Sequence, residues 1–154
     1  MYYIKKFVIS SKNEDGEKVV SAVDLAPGLN IIYGPSNTGK TLILDCVDFM
    51  LGGDARRLYK PALRITAVTM FLDVDGAELS MYRELDEAKK NDIIVVSKAP
   101  GIDTGTYTVG TKTKDKDTIS SLWLQLMGID QEVKIIRQIE DSMEQTLTVR
   151  TFYH

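Results

Sequence analysis

The residues with the clearest chemistry are Gly34, Pro35, Ser36, Asn37, Thr38, Gly39, Lys40 and Thr41, which fit the pattern G-x-x-x-x-G-K-[ST] at every required position. The spacing suits phosphate for physical reasons. Glycines let the backbone curl until successive N–H groups from about Ser36 to Thr41 point at one anion, and a helix starting there adds its partial positive charge. That makes a cradle for a β-phosphate. The Lys40 ammonium can bridge β- and γ-phosphate oxygens, and the Thr41 hydroxyl can ligate Mg2+, the hard cation that accompanies a nucleoside triphosphate.

Such a loop needs a strand before it and a helix behind it. After the punctuation of Pro27-Gly28, the apolar residues 29–33 are expected to form a buried strand ending at Gly34. Residues 42–51 are apolar except for Asp45 and Asp48, so a helix buried on nearly all sides is expected, stopped by Gly52-Gly53. Upstream, residues 3–10 and 18–25 are rich in β-branched and aromatic types and flank Asp15-Gly16, which predicts a hairpin. Residues 65–74 and 78–85, joined through Asp75-Gly76, predict a second. Residues 93–96 are a short strand candidate, and residues 100–117, dominated by Gly, Thr, Lys and Asp, read as loops. Asp117 is placed to cap a helix whose apolar residues Ile119, Leu122, Trp123, Leu126 and Met127 share one core-facing side before Gly128. Residues 133–139 can add a strand, and residues 148–154 read as the start of a further element.

At 154 residues, 44% hydrophobic and 27% charged, the chain is expected to form one unit, residues 1–154. A net charge of −3 offers no basic stripe, so any DNA contact would be local or made through a complex. Cys46 is the single cysteine, which excludes a disulfide framework and points to a reducing cytoplasm; the residue itself is expected in the core. The apolar N-terminal stretch contains Lys5 and Lys6 and has no small-residue cleavage site. No apolar run approaches the roughly 18 residues that span a membrane, so a soluble cytoplasmic protein is expected.

Residues 27–41, followed by 42–53, resemble the start of the SMC, RecF and RecN group of ATPases, which includes the ABC-like heads of DNA double-strand-break repair complexes. That group reads G-x-N-x-I-x-G-x-N/S-x-x-G-K-S/T and then a hydrophobic helix ending near Leu-Gly. Here Gly28, Asn30, Ile32, Gly34, Ser36, Gly39, Lys40 and Thr41 fill the pattern. The likeness extends more loosely over both hairpins, Arg83 and the helix around Trp123. It implies an α/β P-loop NTPase fold, specifically an ABC/SMC-head-like N-terminal lobe in which a parallel core carrying the loop joins an antiparallel β subdomain. It also implies ATP and Mg2+ as cofactors, DNA repair or chromosome maintenance as the setting, and Arg56 or Arg57 as the basic residues that approach nucleotide or DNA.

A complete head of that group also carries a Walker B strand ending in Asp-Glu, a Leu-Ser-Gly-Gly type signature and a switch histidine. None is present. His154 is the single histidine, and Gln138 and Gln145, candidates for a magnesium-contacting glutamine, lack the matching context. The resemblance therefore implies an incomplete head that binds ATP with little turnover alone, its catalytic residues residing in a C-terminal half or a second head. Three other readings compete. A GTPase-like switch would use the D-x-x-G at Asp73-Val74-Asp75-Gly76 with Asp73 serving magnesium through water, although no guanine-reading [NT]-K-x-D is evident. A small-molecule kinase would need a lid with arginines. A non-catalytic interaction module with a vestigial P-loop would bind no nucleotide.

Overall fold

The computed structural model describes residues 1–35, 39–59, 63–110 and 116–129, together with the backbone of 134–136 and 144–146. Both predicted hairpins form. In the first, β1 (Tyr2–Lys12) and β2 (Lys18–Asp24) pair antiparallel, with Asn13 closing the turn by accepting from Glu17 N–H at 2.8 Å on its side-chain oxygen. In the second, β3 (Ile65–Val74) returns as β4 (Ala77–Glu84) through Asp75 and Gly76, at φ 50° and 85°. Two positive φ values in a two-residue turn give the twist that matches the flanking strands. The Asp73 carboxylate accepts from Gly76 N–H at 2.8 Å, so the D-x-x-G segment is this turn, and its aspartate is engaged there.

Adding β5 (Asp92–Ser97) and β6 (Gly105–Thr108) completes a six-stranded sheet in the order β2-β1-β3-β4-β5-β6, with every ladder antiparallel. β6 lies inside the tract read as loop, and its four residues, Gly-Thr-Tyr-Thr, are too few to display an alternating pattern. β7 (Lys134–Ile136) and β8 (Glu144–Thr146) pair separately. The architecture is thus mixed α/β around an antiparallel sheet, and a parallel core is not found among the described residues.

Both helices, α1 (Lys40–Met50) and α2 (Ile119–Leu126), contribute to the core on one face of the sheet. Register explains which face. Phe7, Met70, Met81 and Val95 lie directly opposite one another across four strands and are all buried, while Ile94 and Val96, of opposite parity on β5, are about half exposed. Cys46, Phe49 and Met50 of α1 and Ile119, Leu122 and Trp123 of α2 complete the cluster, with Met127 packed against its margin. The cap of α2 is Thr118, whose hydroxyl accepts from Ser121 N–H at 3.1 Å, one residue beyond the expected Asp117.

Two further expectations fail, and for one reason. Residues 29–33 form no strand and are exposed, Leu29 at 87% and Tyr33 at 90%. Likewise α1 is not covered on all sides, since Leu44 is 68% exposed. A central parallel strand is buried only by neighbours on both sides and helices on both faces. None of the six strands of the sheet runs beside this segment.

Burial pushes the Cys46 thiol up to about 12, with the nearby Asp45 carboxylate adding to the effect. A thiol held protonated in the fold but free to ionise when unfolded contributes stability below its ordinary value of 9.0 and loses it as pH rises above that value. Cys46 is therefore expected to resist thiol reagents at pH 8 in the native protein and to react on denaturation. Timed absorbance with an aromatic disulfide reagent checks this, and immediate full reaction of the native chain would contradict it.

Candidate functional site

The P-loop motif sits at the donor end of α1. Gly39 precedes the helix at φ 84°, a left-handed backbone that a side chain would strain, and Lys40 is the first helical residue. The first turn has no side-chain cap and no acidic residue, so its N–H groups and positive dipole end are complemented by neither. The Lys40 ammonium reaches back across the loop, donating to the carbonyl of Gly34 at 2.9 Å and to that of Pro35. Gly34, Pro35, Gly39 and Lys40 are thereby brought together, with exposed Thr41 next on the helix. Ser36, Asn37 and Thr38 lie outside the described residues. Behind the loop, Asn30 bridges the turn at Pro27-Gly28, accepting from Ala26 N–H at 2.9 Å and donating to its carbonyl at 2.8 Å.

The far end of α1 is clamped. Gly52, at φ 96°, turns the chain out of the helix, and the Trp123 indole N–H donates to the Met50 carbonyl at 3.3 Å. Arg83 of β4, only 2% exposed, donates through Nη1 to the carbonyls of Phe49 and, at 3.0 Å, Gly53, and through Nε to that of Lys90 at 2.6 Å. Its guanidinium carbon stands 3.8 Å from the centre of the Phe49 ring. Carbonyl oxygens at the negative end of the helix and an aromatic face compensate the buried charge. Sequence reasoning placed Arg83 in the hairpin without this role. The signal was its parity, since Leu79, Met81, Arg83 and Leu85 alternate onto the buried face.

Gly53 is sterically required here. A Cβ at that position would lie 2.6 Å from the Asp48 carbonyl oxygen and 2.3 Å from its carboxylate. The backbone contact cannot rotate away, so Gly53→Ala is expected to destabilise the fold by about 1–3 kcal/mol, read from a shift in the urea midpoint.

Arg56 and Arg57 occupy a short 3-10 turn, Ala55–Arg57, capped by Asp54. Arg56 pairs with Asp54 at 3.2 Å, and the largely exposed Arg57 stands 3.9 Å from Asp45, a buried carboxylate on α1. A recess of about 470 Å³ lies elsewhere, lined by Ser10, Lys12, Lys18, Tyr59, Tyr82 and Glu84 among others, and includes no P-loop residue. No cluster of three or more His, Cys, Asp or Glu that could hold a metal occurs among the described residues. His154 and Gln138 lie outside those residues, and of Gln145 only the backbone is described.

A family model described as an AAA domain matches residues 7–154. The chain therefore belongs to this AAA domain family, an ATPase-like, nucleotide-binding family found in SMC- and Rad50-type proteins. Comparison with curated proteins finds no match. Among the described residues no helix is long and apolar enough to cross a membrane.

Proposed function

We propose that the chain has a P-loop NTPase fold, binds magnesium-ATP through residues 34–41, and is the N-terminal lobe of an SMC- or RecN-like ATPase working in DNA repair or chromosome maintenance. The observation that carries this reading is the junction at the loop. Lys40, at a helix start without a side-chain cap, donates back to the Gly34 carbonyl, while Leu29, Ile31, Ile32 and Tyr33 lie exposed in the segment that leads there. Apolar side chains and strand-forming backbone left in water call for neighbouring strands to cover them. A C-terminal half, or a second head, would supply those strands together with the Walker B acid and the signature motif. DNA would be met through that assembly.

The residues present fit the implied cofactor. Magnesium in a triphosphate site takes one or two protein oxygens, phosphate oxygens and water, so it needs a hydroxyl at the helix start and no carboxylate cage. Thr41 provides that hydroxyl. The Lys40 donors, now on loop carbonyls, have the reach and charge to take phosphate oxygens in their place. Bound magnesium would neutralise triphosphate charge, while positioning of water and stabilisation of the transferred phosphoryl group fall to the other half.

Calorimetric titration of the chain with magnesium-ATP and magnesium-GTP tests the reading. Binding of ATP in preference to GTP, weakened when magnesium is chelated and accompanied by little phosphate release, is the expected result. A GTP preference or no binding of either nucleotide would overturn it.

A further inference from the structure

β2 is an edge of the six-stranded sheet, and among the described residues no strand pairs with its outer side. The backbone phase of that side follows from two bonds to β1. Leu25 N–H donates to the Lys5 carbonyl, and the Glu17 carbonyl accepts from Asn13 N–H. Odd-numbered residues of β2 therefore turn their N–H and C=O toward β1, and Lys18, Val20, Ala22 and Asp24 turn theirs outward. Every residue of β2 except Val23 is exposed, including Val19 at 42% and Val20 at 54%. The strand carries no proline, and its ladder to β1 runs without a bulge. An apolar edge of this kind is a template for strand addition.

What it fits is written in its own sequence, Lys18-Val19-Val20-Ser21-Ala22-Val23-Asp24. Read antiparallel about Ser21, Lys18 faces Asp24 of a second copy, Val19 faces Val23, Val20 faces Ala22, and Ser21 faces itself. This register sets outward-turned residues opposite outward-turned residues, as hydrogen bonding demands. Slipping it by two residues loses both Lys–Asp pairs, placing Lys18 against Ala22 or Val20 against Asp24. The faces match as well. Val23 lies opposite buried Phe7 on the helix-covered side and Asp24 opposite Lys6 on the other, and a two-fold axis normal to the sheet keeps like faces together.

We propose that β2 is a self-complementary docking edge through which two copies of this chain join their sheets about a two-fold axis at Ser21. Opposite charge at both ends of the strand selects a second copy in this register. The inference does not depend on nucleotide binding.

Sedimentation equilibrium of the full chain over a range of concentrations, without nucleotide, tests it. A reversible monomer–dimer equilibrium is expected. Lys18→Asp or Asp24→Lys alone sets like charges face to face at both ends and should weaken the dimer about ten-fold or more. The double exchange should restore it, even though it still lacks the exposed Lys6–Asp24 pair within each copy. Ala22→Pro removes an outward N–H and spares the β1 ladder, so it should abolish the dimer with an unchanged circular dichroism spectrum. A monomer at every concentration, a dimer indifferent to these changes, or a double exchange no tighter than the single ones would overturn the proposal.

Discussion

Replacing Arg83 by methionine is expected to destabilise the chain by about 3–5 kcal/mol, read as a lower urea midpoint with an unchanged slope. The size follows from what the guanidinium holds. The Gly53 carbonyl loses a charged donor in a buried place and the Lys90 carbonyl loses one in a half-buried place, whereas the Phe49 carbonyl still accepts from Gly52 N–H at 3.1 Å. Methionine restores some contact with the Phe49 ring, so packing loss is the lesser part. Arg83→Lys retains the charge but lacks the planar fork that reaches the end of α1 and the Lys90 carbonyl together, and it should recover only a minority of the loss. Because the site is buried, added salt should not change the difference. A cost below about 1 kcal/mol would mean that these carbonyls are equally well served by water.

The elements read correctly from sequence are those fixed by neighbours along the chain. Asp15-Gly16 and Asp75-Gly76 each lie between strand-like runs, and a short connection leaves antiparallel pairing as the local solution, so β1–β2 and β3–β4 appear as expected. The G-x-x-x-x-G-K-[ST] pattern could be read at all because it is compressed into eight consecutive residues, and of these the structure places Lys40 and Thr41 in the first turn of α1. Residues 29–33 misled because an apolar run records what a chain would bury, not whether strands lie beside it. Arg83 is the converse case. Its inward parity was visible, but the acceptors that make a buried cation tolerable come from the end of α1 and from Lys90, which only the folded arrangement brings together. The D-x-x-G match at Asp73 shows the limit of short patterns, since the same four residues serve equally well as a hairpin turn.

Lys40→Ala should show the opposite pattern, weakening magnesium-ATP binding about 100-fold while leaving the unfolding midpoint nearly where it was. Two charge-assisted bonds to phosphate oxygens amount to about 3 kcal/mol, which sets that factor. Stability should hardly move, because the lysine stands at the positive end of α1, where a cation is unfavourable, and its bonds to the Gly34 and Pro35 carbonyls offset that in the chain alone. Lys40→Arg keeps the charge, but a planar fork does not replace the compact ammonium that donates to the Gly34 and Pro35 carbonyls, so it should bind nucleotide poorly as well. Titration calorimetry alongside denaturation separates the two arginine and lysine effects. Arg83 acts at the anchored end of a helix of 11 residues, roughly 16 Å from the loop, so its variants should lose stability and, where folded, keep their affinity. If Lys40→Ala instead binds magnesium-ATP as tightly as the parent, the phosphate cradle is not where the nucleotide sits, and the proposed ATP-binding role falls with it.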